Sequence, residues 1–508
     1  MKYHFVQLAS VKTFFWGVLI LTIVAFAAIT VLQPLSNVVM NNHVMFYMVM
    51  ITLCGSLLFL CHFLVIAVLT YCYNALSPGV QETLPGCTVI VPAYNEGEHV
   101  AETLYSLMEC DYPPEKLEII AINDGSKDDT WKWIKKVADT SAGRITPVNL
   151  RKNGGKKHAL YTGIKTAKFE LIVTVDSDSI VEKSALKNLV APFSDPAVGG
   201  VAGYIRVKNI NKGIIPLLMD IGFVFGCEFI RRAQSVVGSV LCTPGALSAY
   251  RKSAILPYCD EWLEQTFLGV PSHIGEDRAI TTLLLRNGFK VVYQANAVAN
   301  TCVPENYRQL CRMLIRWTRS DVRENIVLGK YVYRQNPLRS FPMLILQINL
   351  TMQIFGFVLA SIAIPFWLLT AVISFSTLHY IFIGTLFMTA LWSAIPVVTY
   401  YKECAKNDLI WVFVFGVYSL FALSWIIPYS IFTVRNSKWL TRDIMVAGRK
   451  HSSGRKFGVV RAFRLARIAI NTQTVSQYSA FDTMTDEQIL NRVYFSNPMS
   501  FKNFSGEQ

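Results

Sequence analysis

The chain has 508 residues, 52% of them hydrophobic and only 16% charged, with a formal net charge of +14. A soluble chain carries about a quarter charged residues, so part of this one lies in lipid and part in water. No zinc-finger spacing or RNP-type pattern accompanies the positive charge, which argues against a nucleic-acid partner and leaves membrane-adjacent Lys and Arg as the simpler reading.

Residues 11–32 and 44–72 are each long and apolar enough to span a bilayer as a helix. The first is too long, and lacks a small-residue cleavage site, for a secretory signal. Lys2 and Lys12 precede it, whereas the loop from Gln33 to His43 carries no Lys, Arg, Asp or Glu. The positive-inside rule therefore places the N-terminus, and the chain after Tyr73, in the cytoplasm. The eleven cysteines are scattered without a C-x-x-C, and Cys54, Cys61 and Cys72 lie within apolar runs. They read as free thiols and not as a disulfide framework or zinc site.

From about residue 76 to 335 the composition turns soluble. Cys87-Thr-Val-Ile-Val-Pro-Ala reads as a strand broken by proline, followed by a helix ending near Met108. Leu117-Glu-Ile-Ile-Ala-Ile-Asn123 reads as a second strand, with Asp128 and Asp129 opening a helix. Leu171-Ile-Val-Thr-Val-Asp176-Ser-Asp178 reads as a third, whose period of two would put both carboxylates on one side at the strand's carboxyl end. Strands alternating with helices at this spacing predict a mostly parallel, doubly wound α/β sheet, with its ligands at the carboxyl ends of the strands.

The last third returns to lipid. Residues 341–375 form one apolar run, and 379–400 and 408–433 read as further spans. The stretch from Arg435 to Arg467 holds ten Lys/Arg against the single acid Asp443, so the tail is expected in the cytoplasm. An even number of crossings must then follow the soluble domain, so 341–375 is expected to cross twice or to be re-entrant. The expected division is 1–75 membrane helices, 76–335 soluble domain, 336–435 membrane or re-entrant helices, and 436–508 basic tail.

The residues able to do chemistry follow in chain order: Asp124 after the second strand, Asn153-Gly-Gly-Lys156-Lys157, the Asp176/Asp178 pair, Gly275-Glu276-Asp277-Arg278 at a helix start, and Arg316-Trp317 on a basic helix. Two hard oxygen ligands suit Mg²⁺ or Mn²⁺ carrying a nucleoside diphosphate. A glycine pair followed by two ammonium groups suits phosphate. Asp277 lies apart from the metal pair in sequence and is a candidate base for an acceptor hydroxyl. Glu276 beside it would raise its pKa if the two were buried together.

These residues resemble the family 2 glycosyltransferases, and among them the membrane-embedded processive synthases of hyaluronan, chitin and poly-N-acetylglucosamine. The resemblance covers about residues 85 to 330, and the flanking spans by layout. It implies a GT-A-like cytoplasmic domain inserted between transmembrane helices of a multi-pass plasma (inner) membrane protein, with both termini cytoplasmic. It implies a UDP-sugar donor, a glycan acceptor, Mn²⁺ or Mg²⁺, and transfer with inversion. By the same resemblance Tyr94, Glu96, Asp124, Lys156 and Asp176 bind the donor and Asp178 the metal. Asp277, with Glu276 beside it, is catalytic, Arg316 and Trp317 serve acceptor and diphosphate, and Trp439 and Arg442 form a gating segment.

The sequence departs from the family pattern where Met313 replaces the Gln of Q-x-x-R-W, which removes an acceptor-side hydrogen bond. Cys242-Thr-Pro-Gly245 does not reproduce the family's Ser-Gly-Pro order, and Leu440 stands where the gating motif has Gly. A hyaluronan-type enzyme with two donors, a chitin-type enzyme with one, and a non-processive lipid glycosyltransferase all remain open. A non-catalytic transporter or scaffold is disfavoured because Asp124, Asp176, Asp178 and Asp277 are all present. Gln347, Asn349, Gln353, Trp367 and Trp392 are candidate linings of a polymer channel.

Overall fold

The computed structural model of the protein describes residues 43–79, 81–373 and 409–437. The apolar run 11–32, the segment 379–400, Trp392, Trp439 and Arg442 lie outside them, as does the basic tail beyond residue 437.

Helix α1 (His43–Tyr71) carries a candidate span, Phe46–Tyr71. The soluble part then runs β1 (Cys87–Ala93), α2 (His99–Met108), β2 (Leu117–Asn123), α3 (Thr130–Thr140), β3 (Ile145–Asn149), α4 (Lys156–Thr166), β4 (Leu171–Thr174), β5 (Ser179–Val181) and α5 (Ala185–Val190). It continues with β6 (Val198–Val207), α6 (Ile214–Phe225), a π-helical turn (Gly226–Arg231), α7 (Arg232–Val236) and β7 (Ser248–Arg251). A hairpin of β8 (Thr266–Phe267) and β9 (Val270–Pro271) precedes α8 (Glu276–Arg286) and β10 (Lys290–Thr301). The long helix α9 (Tyr307–Val332) leads to α10 (Phe341–Ile373), α11 (Leu409–Tyr418), a second π-helical turn (Ser419–Leu423) and α12 (Ile426–Phe432).

The strand order is β3-β2-β1-β4-β7-β6-β10-β5. Pairs β2–β3, β1–β2, β1–β4 and β6–β10 are parallel, whereas β7 runs antiparallel to both β4 and β6, and β5 antiparallel to β10. The sheet is thus mostly parallel, as expected, with a reversed strand in its middle. Every residue of β1 and β4 is buried, the signature of central strands covered on both faces. Alternation divides those side chains between two layers. Val89, Ile119 and Val173 pack with Leu104 and Leu107 of α2, Ile134 of α3 and Leu189 of α5. Ile90, Ile120 and Ile172 pack on the other face with Leu160, Leu284, Leu328, and Leu346 and Leu350 of α10. The helix carrying a candidate membrane span therefore completes the core of the α/β domain.

Two expectations are corrected here. Pro92 does not break β1, which continues through it in register with Ile122. Ile90 faces β4, and its carbonyl accepts at 3.1 Å from the N–H of Val175, the residue just past that strand, so Pro92, two residues on, faces the same side. The β1–β4 ladder stops at the Ile90/Thr174 pair, and the missing proline N–H has no ladder bond to lose. Residues 341–373 do not cross twice: Phe341–Ile373 is one continuous helix, with Pro365 inside it and a candidate span at Phe341–Phe366. The bent element is instead the later one, where Ile410–Leu423 and Ile426–Phe432 meet at 41°, either a broken span or a re-entrant loop.

Two candidate channel residues have other partners. Gln347 donates to the carbonyls of Val332 and Gln335, both at 2.9 Å, and so closes the carboxyl end of α9. Asn349 meets His62 of α1 at 2.9 Å, a bond between the two helices that carry candidate spans.

Candidate active site

The loops at the carboxyl ends of β1 and β2 hold one another. Asn95 takes a left-handed conformation (φ 55°), its N–H donates to Ser126 Oγ at 3.0 Å, and its Oδ1 accepts from the Lys127 N–H at 2.8 Å. The Glu96 N–H donates to Thr130 Oγ1 at 2.8 Å. Tyr94 and Glu96 flank this turn, both half-buried.

Asp124 is buried at the end of β2. Its Oδ1 accepts from the Gly154 N–H at 2.9 Å and its Oδ2 from the Gly155 N–H at 2.8 Å. This carboxylate shapes the glycine loop that opens α4. The close approach needs Gly125, where a Cβ would lie 2.6 Å from the Asn153 nitrogen and 2.7 Å from the Lys152 carbonyl carbon.

Lys156 is the first residue of α4, and its buried Nζ lies 2.5 Å from Asp176 Oδ1 and 2.7 Å from Glu276 Oε1. Burial alone would lower its pKa, but the carboxylates of Asp176, Glu276 and Asp277 hold it well above the ordinary lysine value.

Asp176 and Asp178 come together by another route than strand alternation. Strand β4 ends at Thr174, and the two carboxylates sit in the turn to β5, where Asp176 O accepts from the Ser179 N–H at 3.1 Å. Asp178 Oδ1 accepts from Thr301 Oγ1 of β10 at 3.3 Å. Burial, and then the neighbouring Asp176, raise the Asp178 pKa. A divalent cation relieves that like-charge repulsion, so the pair fits Mn²⁺ or Mg²⁺. Among the described residues no group of three His, Cys, Asp or Glu side chains is placed to hold a metal, so phosphate oxygens and water would complete the coordination.

The adjacent acids at the start of α8 have opposite environments. Burial raises Glu276, but the Lys156 ammonium and then Arg316 outweigh it and hold Glu276 ionised, well below the usual glutamate range. Burial and the Glu276 charge push Asp277 up to about 6. Asp277 Oδ2 accepts from the Gly245 N–H at 3.3 Å, and its Oδ1 from the Arg278 N–H at 2.7 Å. Divergent pKa values in neighbouring carboxyls suit one fixed anion and one proton-transfer group.

Arg316 and Trp317 lie on α9, with Arg316 close enough to Glu276 for its charge to act on that carboxyl. The Trp317 ring, partly exposed, lies 6.1 Å from that of Phe223 on α6. Met313 is buried in an apolar cluster with Val207, Met219, Val303 and Leu310.

The fold thus gathers Lys156, Asp176, Asp178, Glu276, Asp277 and Arg316 into one site, with Asp124 behind the glycine loop. Sequence reasoning missed Gly245. A Cβ there would come 2.4 Å from Lys156 Nζ and 3.3 Å from Asp176 Oδ1, so the missing side chain leaves the cleft open beside both. In sequence, Cys242-Thr-Pro-Gly245 stands out only as a departure from the family's motif. Its Thr243 Oγ1 hydrogen-bonds Thr281 Oγ1 at 2.7 Å and Tyr250 Oη at 2.8 Å, which packs the segment against α8.

A sequence profile described as "Glycosyltransferase like family 2" matches residues 85–320. An N-acetylglucosaminyltransferase of Mesorhizobium japonicum is 30% identical over 374 residues, 72% of this chain and 84% of that protein. One from Azorhizobium caulinodans is 36% identical over 258 residues, 49% of this chain and 64% of its own length. A hyaluronan synthase of Streptococcus pyogenes is 29% identical over 361 residues, 70% of this chain and 82% of that protein. A mannosyltransferase from Pyrobaculum calidifontis, solved with GDP-Man and Mn²⁺, superposes with a TM-score of 0.51 at 22% identity, covering 73% of this chain and 98% of that one, a likeness of fold. The chain belongs to the family 2 glycosyltransferases.

Proposed function

We propose that this family 2 member is a membrane polysaccharide synthase. It transfers a sugar, N-acetylglucosamine alone or alternating with glucuronate, from a UDP-sugar to a growing β-linked chain, with inversion. Relatives named N-acetylglucosaminyltransferase and hyaluronan synthase support the sugar class. The observation that carries the reading is the split acid pair, with Glu276 held ionised against Lys156 and Asp277 poised to about 6.

In this reading Asp277 accepts the proton of the acceptor hydroxyl as that oxygen attacks the anomeric carbon and the bond to UDP breaks. Asp176 and Asp178 would hold Mn²⁺ or Mg²⁺, which neutralises charge on the departing diphosphate. Asp124 fixes the glycine loop through two N–H bonds, and Tyr94 and Glu96 flank the nucleotide side. Arg316 and Trp317 face the acceptor. The catalytic domain and both termini lie in the cytoplasm of a multi-pass plasma-membrane protein, with the domain division expected from sequence. Trp439 and Arg442 would gate the site, and the polymer would leave through the membrane helices.

A second reading, a transferase making short oligosaccharides or glycosylating a lipid, is favoured by Met313. Met313 stands where the resemblance implies a Gln that hydrogen-bonds the acceptor, and its thioether, packed in an apolar cluster, makes no such bond.

The test is UDP release by the full chain in detergent with Mn²⁺, with UDP-N-acetylglucosamine, UDP-glucuronate, or both, and the product sized on a gel. A long product that requires both donors is the hyaluronan outcome. Turnover with UDP-N-acetylglucosamine alone is the chitin-type outcome, or the short-product reading if the product stays small. No release with any donor would overturn the enzyme reading for these sugars.

A further inference from the structure

Helix α9 meets the start of the base helix at three successive residues. Arg316 acts on Glu276 by its charge. Ser320 fills the place where a Cβ on Gly275 would stand, 1.7 Å from its Oγ, and Gly275 is left-handed at φ 70°. Arg323 Nη2 donates to the Ile274 carbonyl at 2.7 Å. Residues 316, 320 and 323 share one helical face, so a single rigid surface contacts Glu276, Gly275 and Ile274 in turn.

Glu324 completes the contact. Its Oε1 accepts from Arg323 Nε at 2.9 Å and from Gln265 Nε2 at 3.0 Å. Gln265 opens the hairpin loop that ends at Ile274, so this buried pair grips both ends of the segment preceding the base. Asn325 Oδ1 accepts from Arg278 Nη2 at 2.7 Å, which adds a hold one residue beyond Asp277. The opposite end of the arrangement is in the membrane part: Arg319 Nη2 donates to Thr433 Oγ1, just past α12, at 2.8 Å.

Arg323 and Glu324 are 3% and 0% exposed. A buried ion pair is seldom the most stable filling of such a space, because desolvation of both ions offsets their attraction. Its value here is geometric, since a guanidinium can hold a carbonyl and a carboxylate at once in fixed directions.

We propose that Arg323, oriented by Glu324, is a positioning residue for the transfer step. It fixes the turn before Asp277 to the helix that carries Arg316 and Trp317, so that base and acceptor platform keep one register. The inference rests on the reading of Asp277 as base.

The test uses the full chain in detergent and compares Arg323→Lys with the near-isosteric Glu324→Gln. The readouts are UDP–Mn²⁺ affinity, the rate of sugar transfer, and the rate of UDP-sugar hydrolysis without transfer. The expected result for Arg323→Lys is UDP affinity within about threefold of wild type and transfer slowed on the order of thirtyfold, with hydrolysis little changed, because a misplacement of about 1 Å costs on the order of a hundredfold. Glu324→Gln keeps an acceptor for Arg323 and should lose less. Unchanged transfer in a folded variant would overturn the proposal, as would UDP affinity falling in parallel with transfer. If Arg323→Lys does not fold, the same comparison on Glu324→Gln decides. Retained transfer in Asp277→Asn overturns the base reading instead, which keeps the two failures apart.

Discussion

Lys156 Nζ and Glu276 Oε1 lie 2.7 Å apart, both buried, one at the start of α4 and the other at the start of α8. This pair lies between Asp176 on one side and Asp277 on the other. Asp176 draws on the same ammonium at 2.5 Å, so one cation stands between the two acidic groups of the site.

Removing that cation strands Glu276. Lys156→Met should destabilise the protein by about 3–5 kcal/mol, because it leaves a buried charge uncompensated, and Lys156→Met combined with Glu276→Gln should recover part of the loss. Since the pair holds the folded Glu276 low, its contribution is full above the ordinary glutamate pKa and is lost as pH falls from there towards the folded value. Thermal melts of both variants at neutral and acid pH check this. An equal melting temperature in Lys156→Met would remove the pair as a stabilising contact.

Asp277→Asn should lower transfer by about 10²–10⁴-fold while UDP–Mn²⁺ binding stays near wild type. Because a base must be ionised and Asp277 is pushed up to about 6, kcat/KM should rise with pH through about 6 and then level. Retained turnover in the variant, or the absence of an acid limb, would remove Asp277 as base.

Asp178→Ala should abolish the difference between UDP affinity measured with Mn²⁺ and with EDTA. It should not cost stability in the absence of metal, because burial and Asp176 both disfavour the Asp178 charge. A metal-dependent affinity that survives the substitution would assign the ion to other groups.

Met313→Gln should lower stability by about 1–3 kcal/mol, since the amide would enter the apolar cluster of Val207, Met219, Val303 and Leu310. Denaturant unfolding of both proteins measures this. An unchanged midpoint would mean that the Gln side chain reaches polar surroundings, and a longer product in the same variant would identify those surroundings as the acceptor.

Much of this was legible in one dimension. Apolar, β-branched runs bounded by Gly, Asn and Asp mark β1, β2 and β4, because strand burial imposes a local composition. The Asp176/Asp178 pair, the glycine loop before Lys156 and the acids opening α8 stand at element ends, where short spacing is enough to find them. Apolar length likewise announced α1 and α10 as candidate spans.

Other features depend on which elements the fold sets side by side, and no local pattern carries that. The pairing of Lys156 with Glu276 follows from α4 and α8 opening onto one cleft. Gly245 gains its place because its backbone crosses between Lys156 and Asp277. Asp176 and Asp178 converge through a turn pinned by Thr301 of β10, and strand alternation plays no part. Gln347 closes α9, although its residue type suggested a channel lining, and the surroundings of Met313 are an apolar cluster drawn largely from other segments of the chain. Spacing along the chain determined which groups are present; tertiary packing decided which are paired, buried or displaced in pKa, because desolvation and charge act through distances in space and not along the sequence.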